Sequence, residues 1–342
     1  MHNKTRISCV YTLLHLLVDF ATVYLVCRVL LGPGVGIVHR AEVIIVYNLV
    51  AFAGQLPMGI IADGINKNRM FALLGCGLAM AAYPIAYISP WTACVLASLG
   101  NGAFHIGAGS EILKISMPKI SLAGVFVSSG ALGVWLAYNV RGSIFETLLP
   151  CVMLISCIGL LFLAEDAEKS EQSKPEPYSL PGIAVLFASS CFLLTVVIRS
   201  FAGMIMNFSW KAQPLWSFLS VMAVVGGKAF GGILADRLGY VKTSVISLLA
   251  SLIAFMFSFD TPVCGIIAML CFNMTMPLTL TALAQMCGKK YGFAFGLTTF
   301  ALAIGFIPMV FGAANFFSPG TVAASVIISL LLLIAGFKSL RI

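Results

Sequence analysis

Long apolar runs, one after another and separated only by short polar breaks, leave this 342-residue chain very few folds. A helix crosses the hydrocarbon of a bilayer with about 20 consecutive apolar residues, and the breaks leave room for little soluble mass. Charged residues make up 9% of the chain and hydrophobic residues 60%, whereas about a quarter of a soluble domain is charged. The chain is therefore read as an all-α, multi-pass membrane protein. Taken in order, the runs predict twelve spans at about 8–31, 42–62, 70–89, 91–113, 122–140, 144–164, 182–207, 214–235, 243–259, 262–286, 291–314 and 319–337. The first is expected to stop at the Gly32-Pro33-Gly34 turn. One polar segment is long, Glu165 to Pro181, EDAEKSEQSKPEPYSLP, and its charge and proline content predict a solvated linker. The expected organisation is an N-terminal six-helix bundle at 1–164, a cytoplasmic linker at 165–181 and a C-terminal six-helix bundle at 182–342.

Both halves carry the same motif. Gly54 to Arg69 reads GQLPMGIIADGINKNR and Gly226 to Lys242 reads GGKAFGGILADRLGYVK, with Asp63 and Asp236, 173 positions apart, as the matching points. Each copy ends an apolar run with Gly-x-x-x-Asp, passes a short basic turn and enters another apolar run, the mark of an internal duplication. The pattern resembles the major facilitator superfamily of secondary transporters, whose loop between helices 2 and 3 carries Gly-x-x-x-Asp-Arg-x-Gly-Arg-Arg. Gly232, Asp236, Arg237 and Gly239 match it in the second copy, with Lys242 supplying delayed positive charge. In the first copy Gly59 and Asp63 fit. Gly64 stands where the family has Arg and Asn66 where it has Gly, leaving Lys67 and Arg69 as the basic partners.

The resemblance implies two pseudo-symmetric six-helix bundles and alternating access, with these turns latching the cytoplasmic face in the outward-open state. An Asp at the C-terminal end of a helix opposes the helix dipole, so Asp63 and Asp236 need a cation or the N-terminus of a neighbouring helix. The residues expected at this cytoplasmic gate are Gly59, Asp63, Arg69, Glu111, Gly232, Asp236 and Arg237, and the arginine missing at Gly64 predicts a weaker first latch. With the N-terminus inside, fourteen Lys and Arg fall on the inner side and three, Arg40, Arg141 and Lys211, on the outer. That bias predicts cytoplasmic termini in a cell membrane, and it accounts for the +8 net charge without nucleic acid.

Few ionisable groups remain at membrane depth: His15, Asp19, Arg28, His105, Glu111, Arg199 and Lys228. A charge at the bilayer centre costs at least about 2.5–3.5 kcal/mol on the mild insertion scale, so each should face protein or water. In the superfamily helices 1, 4, 7 and 10 line the central cavity, and most of these residues fall on that set. His15 and Asp19, four apart, share a helix face. They suit proton coupling, or else form a neutral structural pair. His105 lies in GNGAFHIGAG, a run of small residues that permits close helix approach. Here the chain looks like the fosmidomycin-resistance type of exporter, which often carries Phe-His-Pro at this place and a His and an Asp on helix 1. Phe104-His105 matches, and Ile106 replaces the Pro. His105 reads either as a packed histidine or as a third proton group.

Arg199 offers the planar fork that holds a carboxylate, phosphate or phosphonate; the other reading makes it a counter-ion for Asp19 or Glu111. Lys228 is a second anion contact or a snorkelling lysine, and Arg28 snorkels outward. On helix 10, Asn273 and neighbouring threonines offer neutral hydrogen bonds beside Pro277, which breaks the ladder. Gly124, Gly130, Gly133, Gly296 and Gly305 on helices 5 and 11 are expected to pack between the halves. The ten cysteines lie scattered, with no Cys-x-x-Cys and no His at ligand spacing, so neither metal nor cofactor is expected. No Gly-rich phosphate loop points to ATP, and no surface set of His, Asp and Glu points to an enzyme. The expectation is a monomeric secondary transporter in the lipid bilayer, its partners a small anionic or zwitterionic solute and protons. The rival is a transporter-like receptor or scaffold that binds without moving its ligand.

Overall fold

The computed structural model describes residues 2–32, 40–162, 182–312 and 316–340. The linker expected at 165–181, positions 33 and 34 of the first turn, and Lys169, Lys174 and Arg341 of the charge tally lie outside them. Among these residues twelve helices follow. Helix α1 is His2–Tyr24, continued by a π-helical turn Leu25–Leu30, and α2 is Arg40–Ile65, with a π-helical turn Leu49–Ala53. Then come α3 Asn68–Ala86, α4 Pro90–Ser116, α5 Ser121–Asn139 and α6 Ile144–Phe162. The second half supplies α7 Ile183–Ile205, α8 Pro214–Leu238, α9 Tyr240–Met256, α10 Pro262–Met286, α11 Tyr291–Val310 and α12 Pro319–Ser339.

The apolar pattern explains most of these boundaries. Among the described residues nine helices are long and apolar enough to cross a membrane, and α9 is a shorter apolar helix, as is α6 over Ile144–Leu160. Helix α4 is long enough but diluted by Ser98, Asn101, His105, Ser110 and Glu111, nearly all buried inside the protein. Helix α1 begins six residues before the expected Ser8 because Lys4 and Arg6 extend it beyond the apolar run. Helix α10 is interrupted at Met274, between Pro262–Asn273 and Thr275–Met286. Pro277 has no N–H for the carbonyl four residues earlier, so the ladder opens one turn before the proline.

The chain forms two compact units. The first comprises Met1–Ile115, Ser129–Glu176 and Lys289–Phe300, and the second Ser116–Ser128, Pro177–Gly288 and Ala301–Ile342. Lipid tails are as apolar as leucine, so helices in a bilayer associate mainly through close packing and hydrogen bonds, and small residues mark the closest approaches. In the first unit α3 and α4 meet backbone to backbone: a Cβ on Gly100 would lie 2.7 Å from the Ala79 nitrogen and 2.8 Å from the Gly75 oxygen. In the second unit α7 packs on α12, and α10 on α8 and α9. An aromatic group around Phe208, stacked on Trp210 at 5.0 Å and met edge-on by Phe259 and Phe317, closes one end.

Candidate functional site

Two polar centres lie at membrane depth, one in each unit. The first is built from α1 and α4. His15 and Asp19 are one helical turn apart on α1, and their Nε2 and Oδ2 atoms are 3.3 Å apart. His105, from α4, places its Nε2 2.8 Å from the His15 Nε2 and 3.6 Å from Asp19 Oδ1. Its other ring nitrogen, Nδ1, stands 2.8 Å from the Asn101 carbonyl oxygen. A carbonyl only accepts, so Nδ1 carries the hydrogen, and the lone pair of a neutral His105 points into the cluster. Two imidazole nitrogens at 2.8 Å require a proton between them.

Asn101 ties the cluster down. Its Nδ2 donates to Asp19 Oδ1 at 2.8 Å and to Thr22 Oγ1 at 3.0 Å, and Thr22 in turn shares a hydrogen bond of 2.9 Å with the Tyr47 hydroxyl of α2. Asp19 meets no Lys or Arg among the described residues; its charged partners are the two histidines. Helix α5 closes the cluster from the side with Gly130, where a Cβ would run into Asp19 Oδ2 and stand 2.5 Å from the His15 Nε2. Gly130 and Gly133 were expected to pack between the halves. They pack instead on α1 in the same half, because the Asp19 face of α1 leaves no room for a side chain.

The second centre is Arg199 on α7. The residue is 6% exposed, and its Nη1 donates to Thr275 Oγ1 at 3.1 Å, at the interruption of α10. Its Nη2 is buried with no hydrogen-bond partner among the described residues. The sequence left open a counter-ion role toward Asp19 or Glu111. Within its own unit Arg199 forms no ion pair among the described residues, and in the other unit Glu111 accepts from Asn68 at 3.2 Å. Asn273 donates to the Met269 carbonyl of its own helix at 2.9 Å. It sits where α8 crosses α10, its Cβ 2.9 Å from where a Cβ on Gly227 would be, next to the half-buried Lys228. Arg28 binds the carbonyls of Ala137 and Tyr138, so it caps the C-terminal end of α5.

The two motif aspartates have found helix N-termini. Asp63 accepts from the N–H groups of Gly292 and Phe293 at 2.8 and 2.7 Å, at the start of α11. Asp236 accepts from those of Ile120 and Ser121 at 2.6 and 3.2 Å, at the start of α5. The first latch was expected to be weaker for want of an arginine at Gly64. Its hydrogen bonds are as short as those of the second, because both carboxylates bind backbone N–H groups. Gly59 and Gly232 allow the approach: a Cβ on Gly232 would meet the Ile120 oxygen at 2.9 Å, and one on Gly59 would lie 2.5 Å from the Gly292 carbonyl carbon. Arg69 donates from Nε to the Leu160 carbonyl at 2.6 Å, which ties α3 to α6.

Sequence reasoning missed Asn101, Thr22 and Tyr47, and it counted Thr275 only among the neutral hydrogen-bonding groups of helix 10, without its link to Arg199. Asn101 lies one turn before His105 on α4, so the same-face rule that paired His15 with Asp19 could have found it. Nothing in the sequence joins Thr275 to Arg199, 76 positions away.

No protein-family model and no curated protein matches this chain. Solved structures do. The human organic anion transporter MFSD10 (TETRAN) superposes with a TM-score of 0.65 at 16% identity, covering 98% of this chain and 99% of that one. The major facilitator superfamily transporter FucP, in the outward conformation, gives 0.64 at 13%, covering 98% and 97%. A bacterial homologue of the iron transporter ferroportin, in an outward-facing state, gives 0.60 at 13%, covering 98% of each chain. Over nearly its whole length, this chain has the major facilitator fold.

Proposed function

We propose that this chain is a secondary active transporter that moves a small anionic or zwitterionic solute by alternating access, driven by protons. The observation that carries the reading is the Nη2 group of Arg199, buried at membrane depth without a partner. A guanidinium stays charged at any ordinary pH, and an unsatisfied buried charge costs several kcal/mol. A carboxylate, phosphate or phosphonate brought against that open edge would remove the cost, with the Thr275 hydroxyl beside it. Lys228 and Asn273, at the α8–α10 crossing, are the further solute contacts on this reading.

The His15–Asp19–His105 cluster is the coupling site. It holds a carboxylate whose only charged partners among the described residues are imidazoles, so the loss or gain of one proton changes the net charge of the group as a whole. The acidic latches Asp63 and Asp236, with Gly59, Arg69, Glu111, Gly232 and Arg237 around them, form the gate. The protein sits in a cell membrane with both termini in the cytoplasm and acts as a monomer. Among proteins of this fold, one is described as a fucose:proton symporter and another as an organic anion transporter, which supports proton drive and an anionic solute. The finer resemblance, to exporters of the fosmidomycin-resistance type, rests on His15, Asp19 and Phe104-His105.

Purified protein in proteoliposomes under an imposed proton gradient tests the reading. Labelled organic anions should move with the gradient, and neutral solutes should not. Saturable binding of an anion with no flux would replace the transporter by a receptor.

A further inference from the structure

We propose that His15, Asp19 and His105 form a binding site for a first-row divalent transition-metal ion of the Zn²⁺ or Co²⁺ class, with coordination positions left open. The donor set is two imidazole nitrogens and one carboxylate, the borderline-soft mixture that such ions select over Mg²⁺ or Ca²⁺. One ligand atom from each residue lies within 4.8 Å of the other two.

The spacing fits more closely than that. An ion bonded at about 2.0–2.1 Å sets its donors roughly 2.9 Å apart in octahedral and about 3.4 Å apart in tetrahedral geometry. The donor separations here are 2.8 Å between the two Nε2 atoms, 3.3 Å from His15 Nε2 to Asp19 Oδ2 and 3.6 Å from His105 Nε2 to Asp19 Oδ1. The two carboxylate distances belong to different oxygens of Asp19, so an ion would be held by both of them, or by one after the carboxylate turns.

The surroundings are those of a metal site. A ligating histidine characteristically donates its other N–H to a backbone carbonyl or a carboxylate, and a ligating carboxylate is itself hydrogen-bonded. His105 has its Nδ1 on the Asn101 carbonyl, and the side chain of the same Asn101 holds Asp19 Oδ1. One residue thus orients two of the three ligands. No Lys or Arg among the described residues competes for Asp19. Space comes from Gly130, since any side chain there would occupy the region against Asp19 Oδ2 and His15 Nε2.

The test is a titration of the purified full-length protein in detergent with Co²⁺, read from its visible d–d absorption, with Zn²⁺ followed by calorimetry. The wild type should take up one equivalent of either ion. Asp19→Asn and His105→Gln should abolish the signal. Gly130→Ala keeps every ligand and should also lose it. Asn101→Ala should weaken binding by about 10- to 100-fold, the usual effect of removing a group that orients a ligand. Cys157→Ser, which alters a donor elsewhere, should bind as the wild type does.

The absence of a saturable one-to-one site in the wild type would overturn the proposal whatever the variants do, and so would a site that survives in both Asp19→Asn and His105→Gln. The inference concerns the same atoms as the coupling site but is read without any gradient. A protein that accumulates solute on a proton gradient yet takes up no Co²⁺ would reject the metal and leave the transport reading standing. One that binds Co²⁺ stoichiometrically and moves no solute would do the reverse.

Discussion

The two units treat their buried charges in opposite ways. In the first, Asp19 is enclosed by two imidazoles and an amide, each at hydrogen-bonding or ion-pair distance, and Asn101 extends the chain to Thr22 and Tyr47. In the second, Arg199 has one hydroxyl partner and a buried Nη2 with no hydrogen-bond partner among the described residues. A network with its donors and acceptors matched is stiff and responds mainly by exchanging a small cation. A guanidinium held open is a vacancy of one sign. On the proposed reading, the contrast goes with different tasks for the two centres, an internal switch for one and an external ligand for the other.

If that contrast is right, the largest effect should come from Asp19→Asn. The change keeps the shape and removes the charge, so accumulation against a gradient should be lost while solute exchange without a gradient survives. Unchanged uphill transport in this variant would take the switch away from the first unit. Arg199→Ala should come next, with anion transport reduced about 10- to 100-fold, as expected for the loss of a charged hydrogen bond worth about 1.5–3 kcal/mol. Arg199→Lys should restore only part, because an ammonium lacks the planar fork. Equal losses for anionic and neutral solutes would make Arg199 structural.

A smaller effect is expected at the latches. Asp63→Asn and Asp236→Asn each weaken two bonds to backbone N–H groups, and the two variants should lower the melting temperature by similar amounts. A clearly milder Asp63→Asn would restore the sequence-based expectation of a weaker first latch. The smallest effect belongs to Thr275→Val, which removes the single partner of Arg199 Nη1. It should cost several-fold in anion affinity, about 1 kcal/mol, with no change in coupling to protons.

Much of the fold can be read from one physical fact. Backbone groups in hydrocarbon must be satisfied within their own segment, so apolar runs become helices and their breaks become loops. The exceptions are informative. Helix α4, expected at about 91–113, is the most polar of the spans, and most of its polar residues are buried inside the protein. The interruption of α10 lies at Met274, one turn before the proline that causes it, a consequence of the hydrogen-bond register.

The site was legible only where it is local. His15 and Asp19 are paired by a four-residue interval on one helix. His105 joins them from ninety positions away, where α4 meets α1, and no interval in the sequence encodes such a contact. Arg199 was visible as a charge in an apolar run, yet its open Nη2 depends on what every neighbouring helix fails to offer. The motif aspartates needed either a cation or a helix terminus. Their geometry, with two N–H donors each, settled on the second.

The claim that the second unit presents an unpaired cation to an anion is tested most directly by thermal unfolding of the purified protein against a panel of organic anions, with Arg199→Ala alongside. At 100 times its dissociation constant, a ligand that binds only the folded state adds about 2.7 kcal/mol. The account predicts that at least one carboxylate, phosphate or phosphonate raises the melting temperature of the wild type and leaves that of the variant unmoved. Equal stabilisation of both proteins, or stabilisation of the wild type by neutral solutes alone, would contradict it.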